Sequence, residues 1–348
     1  MISLLHRNAR QRLAAAAGWR AYEWLFWVAA VTAVFVLPRH LLLLNEIAIL
    51  ALFALSLDLL LGYAGIVSLG HAAYFGFGAY VAGLLAINGV AEPVTGLAIA
   101  GAATALLGFA TSFLVLRGTD LTRLMVTLGI SMMIFEIANK FADLTGGADG
   151  LQGVVMGPIL GMFEFDLFGR TAYVYSLSVL FVLFLITRRI VHSPFGLSIR
   201  SIKENPLRAA SLGIPVNARL VATYTVASAY AGIAGALLAQ TTQYVSLDVL
   251  DFHRSADALL VLVLGGTGYL YGGMLGAMVF RVMQDYLAGL TPQYWQFWIG
   301  LVLVAVVLVG RDRFFQGVAR LLRQGLTRLG RGRKPQPQHQ PQALGGDR

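Results

Sequence analysis

The chain has 348 residues, of which 57% are apolar and only 12% charged, with a mean hydropathy of +0.72. That balance excludes a water-soluble globule of ordinary composition and leaves an all-α polytopic membrane protein as the expected fold class. The absence of cysteine excludes disulfide and thiol chemistry, and the net charge of +9 follows from membrane topology without any nucleic-acid partner.

Residues 1–21 carry Arg7, Arg10, Arg12 and Arg20 with no acid, and read as a basic cytoplasmic lead-in. Apolar stretches follow near 22–38, 41–61, 72–88, 94–116, 121–141, 172–191, 219–241, 256–270, 272–289 and 294–310. Most reach the roughly 20 residues that a helix needs to cross the hydrocarbon, so about ten transmembrane helices are expected within a domain spanning 22–310. The stretch 256–270 is short. The stretch 62–71, GYAGIVSLGH, is too rich in glycine for a regular span. Broken backbone at membrane depth is tolerated only where protein or a water-filled cavity covers it. Gly62, Gly65, Ser68, Gly70, His71 and Gly76, with Asp58 just before them, are therefore candidates for lining or gating a route. From Arg311 to Arg348 the tail is basic and then low in complexity, and is expected to be partly disordered and cytoplasmic.

Between the sixth and seventh stretches lies SPFGLSIRSIKENPLRAASLGIP, Ser193 to Pro215. Ser193 before Pro194 reads as an N-cap with proline at the first helical position, and Asn205 before Pro206 repeats the device. Proline disfavours α geometry in the residue before it, so Asn205 should divide the cassette into two short helices. The second should close at Gly213, with Pro215 as a stop. A compact helix pair outside the bilayer is a surface that a soluble partner can grip.

Charge sets the orientation. With both termini and the loops near 62–71, 117–123, 188–219 and 265–272 on the cytoplasmic side, Lys and Arg divide 21 to 4 between the faces, with Arg281 inside a span. That asymmetry satisfies the positive-inside rule. The opposite face carries Asp143, Asp149, Glu164, Asp166, Asp248 and Asp251, a mildly acidic surface for a soluble partner.

Within the spans, Glu136 and Lys140 are four apart, as are Arg281 and Asp285, so each pair can neutralise itself along its helix; Asp58 has no such local partner. No fixed ion pair at mid-membrane is expected. Ala72, Gly76, Ala79 and Gly83 form a narrow stripe that would let a neighbouring backbone approach, as would Gly232 with Gly235 and Gly272 with Gly276. GGTGYLYGG, Gly265 to Gly273, fails the dinucleotide-loop spacing and reads as a tight turn between packed helices. No GxxxxGK[ST], HExxH or GxSxG is present, and His71 alone cannot make a metal site, so neither catalysis nor a cofactor is expected in this chain.

Three blocks carry a family resemblance: LGYAGIVSLGHAAYFGFGAY (Leu61 to Tyr80), TGGADGLQGV (Thr145 to Val154), and SPFGLSIRSIKENPLRAASLGIPV with the following AYAGIAGAL. LVLGGTGYLYGGMLGA is similar to a further glycine block. Over roughly 41 to 310 the chain resembles permease subunits of the LivM type, from ABC importers for branched-chain amino acids. The resemblance implies alternating access without chemistry in this chain. It implies a second related permease subunit, two cytoplasmic ATPase subunits that bind ATP and Mg, an extracytoplasmic substrate-binding protein, and a bacterial cytoplasmic (inner) membrane as the site. It assigns ATPase coupling to Glu204, Asn205, Ala209, Ala210, Gly213 and Ile214. The chain departs from the family at Ile66 and Val67, where a Gln-Leu pair is usual, at Thr119, Asp120 and Leu121 in place of an aromatic run, and at Asp58, often Asn. Urea, short amides or aromatic acids stand as alternative substrates, and an ion-coupled secondary transporter using Asp58 or Glu136 as an alternative mechanism.

Overall fold

The computed structural model describes residues 21–166 and 168–309, and its elements are helical. Each apolar stretch carries a helix. In chain order these are α1 (Ala21–Val36), α2 (Leu41–Asp58), α3 (Ala72–Ile87), α4 (Pro93–Val115), α5 (Asp120–Lys140) and α6 (Arg170–Val191). The cassette follows as α7 (Pro194–Glu204) and α8 (Pro206–Ser211). Then come α9 (Val216–Thr242), α10 (Phe252–Gly265), α11 (Gly272–Leu290) and α12 (Trp295–Val309). Among the described residues no strand forms; two isolated bridges, Leu151 with Val245 and Ile159 with Phe163, tie loops together. The lead-in before Ala21 and the tail from Arg311 lie outside the described residues.

Among the described residues, five helical runs are long and apolar enough to cross a membrane: Pro38–Ala64, Pro93–Val115, Leu121–Lys140, Arg170–Val191 and Val216–Thr242. Glu23–Val36, Ala72–Ile87 and Trp295–Val306 are apolar but shorter. The stretch 256–270 yields the 14-residue α10, roughly 21 Å long at 1.5 Å per residue and short of a ~30 Å hydrocarbon core. α3 is short because its span begins only after the broken segment. That segment opens as a π-helical turn, Leu59–Ala64, closes with Gly65 at φ 73°, and continues without regular structure until α3 begins. The wide turn follows the run of leucines and ends at the glycine that can take a left-handed backbone.

Burial separates the centre from the rim. The apolar window of α2 is 89% buried and that of α5 only 17%, so α2 is central and α5 peripheral. α9 packs on α2, α3 and α4, α11 on α2 and α10, and α6 on α2. Backbones approach most closely where a methyl group at Gly78 would strike the Gly232 backbone, and one at Gly235 the Phe75 carbonyl. The stripe Ala72, Gly76, Ala79 and Gly83 does not seat one neighbouring helix along its length. Gly76 meets Leu250 and Gly83 meets Leu151 and Val245, so the stripe largely receives the connecting segments. The glycine-rich turn behaves as expected: added methyl groups at Gly265 and Gly276 would strike the Gly272 and Val261 carbonyls, so α10 and α11 pack in direct backbone contact.

α1 is fastened to α6 by a buried ion pair of Glu23 with Arg188 and by the Tyr173 hydroxyl, which donates to the Ala30 carbonyl at 2.8 Å. Charges desolvated this way specify one arrangement more than they stabilise it. The described residues through Gln293 form one compact unit; α12 belongs to a second, from Tyr294, and is a 15-residue apolar helix with Phe297 and Trp298 packed edge to face.

Candidate functional site

The cassette folds as its capping residues dictate. Ser193 accepts from the Gly196 N–H at 3.4 Å, and Asn205 Oδ1 accepts from the Arg208 N–H at 2.9 Å, so each side chain satisfies a free donor at the start of its helix. Asn205 is extended (φ −159°, ψ 102°), which breaks α7 from α8. α8 ends with Gly213 at φ 81° while the Ile214 N–H reaches back to the Ala209 carbonyl at 3.1 Å. Of the six residues assigned to coupling, Glu204, Asn205, Ala210 and Gly213 are exposed, Ile214 is half-buried, and Ala209 is buried. Ala209 therefore anchors α8 rather than offering a contact. Leu207 and Leu212, which lie in the cassette but are not among those six, are 81% and 74% exposed on this helix and turn.

α7 is joined to the broken segment by two cations. Lys203 Nζ donates to the Gly62 carbonyl at 2.6 Å, its stem lying against Gly65, and the Arg200 guanidinium sits 5.1 Å above the Tyr63 ring. Asp58, expected to lack a partner, has two. Its Oδ1 accepts from the Gly268 N–H at 2.7 Å, and the Lys203 ammonium supplies opposite charge nearby; Oδ2 is buried and accepts no hydrogen bond. A side chain at Gly62 would collide with both the Asp58 carboxylate and the Gly268 amide, so glycine is required there. Asp58, Gly62, Gly65, Lys203 and Gly268 thus form one junction linking α2, the cassette and the α10–α11 turn.

The other candidate gate residues lie elsewhere. His71 is fully buried, stacked on Phe53 at 5.5 Å, with its Nε2 2.8 Å from Ser56 Oγ. Because Ser56 spends its only proton on the Phe53 carbonyl at 2.6 Å, the imidazole donates from Nε2, and Nδ1 is left without a hydrogen bond. Tyr74 bonds Thr111 and Tyr224 at 2.7 and 3.0 Å, and Ser68 lies beside the Tyr224 hydroxyl. Gly70 packs on the Thr127 backbone, and the Ala72 N–H donates to Ser255 Oγ at 2.8 Å. Of the candidate gate residues, all but Gly65 are buried, some at the charged junction and the others among the aromatic and hydroxyl side chains around His71 and Tyr74. Among the described residues, no group of three or more His, Asp or Glu could hold a metal ion.

The loop block Thr145 to Val154 is a chain of turns. The Leu151 N–H donates to the Val245 carbonyl at 2.7 Å and the Tyr244 hydroxyl to the Asp149 carbonyl at 3.0 Å. Nearby acids are partly engaged: Asp248 pairs with Arg254 at 2.7 Å, Asp251 Oδ1 accepts from the His253 N–H at 2.9 Å, and Asp166 caps Thr171. The His253 N–H bond holds the Asp251 carboxyl below its ordinary range, while hydrogen bonding to Asp251 raises the His253 imidazole above 6.5.

One pairing expectation fails and a second is incomplete. Among the described residues no ion pair joins Glu136 to Lys140; both are exposed on α5. Arg281 reaches across to Glu46 on α2 and donates to Gln284 at 2.7 Å, instead of relying on Asp285 alone. Helical spacing marks only partners on the same helix, so Glu46 carried no signal. Arg200 and Lys203 did carry one: they lie three apart, beside the buried Ile199 and Ile202 that turn α7 toward the bundle.

A family model described as branched-chain amino acid transport system / permease component matches residues 40–307. The chain is 26% identical over 255 residues to the high-affinity branched-chain amino acid transport system permease protein LivM of Escherichia coli (strain K12), covering 67% of this chain and 60% of that protein. It is 27% identical over 256 residues to the protein of the same name in Salmonella typhimurium, with the same shares. A probable branched-chain amino acid transport permease protein LivH of Methanocaldococcus jannaschii is 24% identical over 247 residues, 68% of this chain and 76% of that one. The chain thus matches about 60% of the length of the two LivM proteins, and no solved structure matches it significantly. The family match embraces the broken segment, the capped cassette and the α10–α11 turn, and the chain belongs to the branched-chain amino acid transport system permease family.

Proposed function

We propose that this chain is a transmembrane permease subunit of an ATP-driven importer, passing branched-chain or related aliphatic amino acids delivered by a soluble binding protein. It works beside a second, related permease subunit and above two ATPase subunits that bind ATP and Mg, in a bacterial inner membrane with both termini cytoplasmic. The observation that carries this reading is the two-sided cassette. Its outward face presents Leu207, Leu212 and Glu204, while Lys203 and Arg200 bind the π-helical turn of the broken segment. A short, doubly capped helix displaced from outside by an ATPase moves those two cations and so pulls on a segment that regular hydrogen bonding does not hold straight. Charged pairs at the opposite loops suit a docking surface for the binding protein.

One observation favours a second reading. Asp58 is buried with one carboxylate oxygen free of hydrogen bonds, as a proton site in an ion-coupled transporter would be. Radiolabelled uptake into liposomes holding the assembled complex, with its binding protein and ATP, separates the two. ATP-dependent leucine import is expected. Leucine import on a proton gradient without ATP would transfer the assignment to the second reading, and ATP-driven import of urea, a short amide or an aromatic acid in place of leucine would change only the substrate.

A further inference from the structure

α11 carries Arg281 nine residues from either end, roughly 14 Å of helix on each side. The guanidinium pairs with Glu46 of α2 and donates to Gln284 at 2.7 Å, and Asp285 lies close enough to act on it electrostatically. This pair is not sealed inside the bundle: the side chains of Arg281 and Glu46 remain 30% and 40% exposed, and Asp285 is exposed beside them. In the topology expected from the sequence α11 is a span, and an ion pair midway along it turns toward the bundle interior or a wet cavity rather than toward lipid. Glu23 with Arg188, which among the described residues also links two apolar helices, is by contrast buried to below a tenth of its side-chain surface.

We propose that the face bearing Glu46, Arg281, Gln284 and Asp285 lines the aqueous translocation route and binds the charged ends of a zwitterionic α-amino acid. The inference rests on the transport function proposed above. A substrate carboxylate takes the place of Glu46 on the guanidinium, while the substrate ammonium is taken up by the displaced Glu46 and by Asp285. The exchange breaks the Arg281–Glu46 contact and forms one at each end of the substrate; desolvating the zwitterion offsets that gain, so the substrate is held weakly and released. Gln284, already bonded to Arg281, keeps the guanidinium oriented when its carboxylate partner changes. The exposed Met278 and Val282, seven and three residues before Asp285 and so next to it around the helix, suit an aliphatic side chain.

The assembled transporter in liposomes, with its partner permease, ATPases and binding protein, provides the test. A single cysteine at Gln284 should react with an impermeant methanethiosulfonate reagent and be protected by millimolar leucine. Arg281→Gln should reduce uptake at least tenfold with co-purification of the partner permease retained, and the exchanged pair Glu46→Arg with Arg281→Glu should not restore it, since an oriented zwitterion cannot follow the exchange. Rescue by the exchanged pair would make the contact purely structural and overturn the proposal. So would a Gln284 cysteine that is unreactive, or indifferent to leucine, in a complex that still imports leucine. Loss of the partner permease from Arg281→Gln and from a Glu46→Gln variant would assign the face to the subunit seam, which also overturns it. If the unsubstituted complex imports no leucine with ATP and binding protein, the underlying transport function fails instead, and the reactivity at Gln284 still reports whether this face is wet.

Discussion

Replacing Lys203 by methionine removes one donor and one charge while keeping the length of the stem that lies against Gly65. What disappears is the 2.6 Å hydrogen bond to the Gly62 carbonyl and the attraction to Asp58, the link from α7 to the broken segment. A hydrogen bond from a charged group contributes about 1.5–3 kcal/mol. Lys203 is exposed, so screening by solvent selects the low end, about 1.5 kcal/mol or roughly a tenfold change in the equilibrium that ties the two elements together. The assay is simultaneous measurement of ATP hydrolysis and leucine uptake by the reconstituted complex. Lys203→Met should retain hydrolysis while leucine imported per ATP falls about tenfold; Lys203→Arg, which restores charge but not the geometry at the carbonyl, should fall between. Unchanged transport per ATP in Lys203→Met would refute the claim that this contact carries the motion. An equal loss of hydrolysis and transport would show instead that α7 no longer docks on the ATPase.

Gly213→Val places a β-branched residue at φ 81°, costing roughly 1–2 kcal/mol in backbone strain although the surrounding space is open, so uptake should fall while insertion measured by membrane fractionation persists. Gly235→Val drives a side chain into the Phe75 carbonyl where α9 meets α3; a loss of about 1–3 kcal/mol, read as a lowered melting temperature in detergent, is expected, and an unchanged melting temperature would contradict the close packing. The His253–Asp251 pair has a definite pH sign. The imidazole is raised above 6.5 by Asp251, so its stabilisation is complete below 6.5 and disappears as pH rises through the raised value, whereas the depressed Asp251 loses its share only on acidification below the ordinary carboxylate range. Amide exchange around 247–254 should therefore be slower at pH 6 than at pH 9 after correction for intrinsic rates, and His253→Gln should abolish the difference. Single cysteines at Ala148 and Ser201 should label from opposite sides of the membrane; labelling of both by an impermeant reagent in intact cells would reverse the topology on which the two docking faces depend.

Much of the architecture was legible in one dimension because its causes are local. Apolar runs bounded by charge or glycine specify where helices lie, and each of the ten stretches carries one. The serine–proline and asparagine–proline steps specify α7 and α8, since a cap acts on donors two or three residues away. The glycine block at Gly265 to Gly273 announced a turn between close helices for the same reason. Pairings between distant segments were not legible. Asp58 looked solitary because Gly268 is 210 residues away and Lys203 acts from another helix, and Arg281 looked self-neutralised because Glu46 lies on α2, 235 residues upstream. The candidate gate residues, contiguous in sequence, separate into a charged junction and an aromatic interior because the irregular backbone between Gly65 and Ala72 carries them past different neighbours. Caps and hydrophobic periodicity act over a few residues and survive in the sequence; charge pairing, burial and the choice between a buried and a wet ion pair depend on which helices pack together, which only the tertiary structure decides.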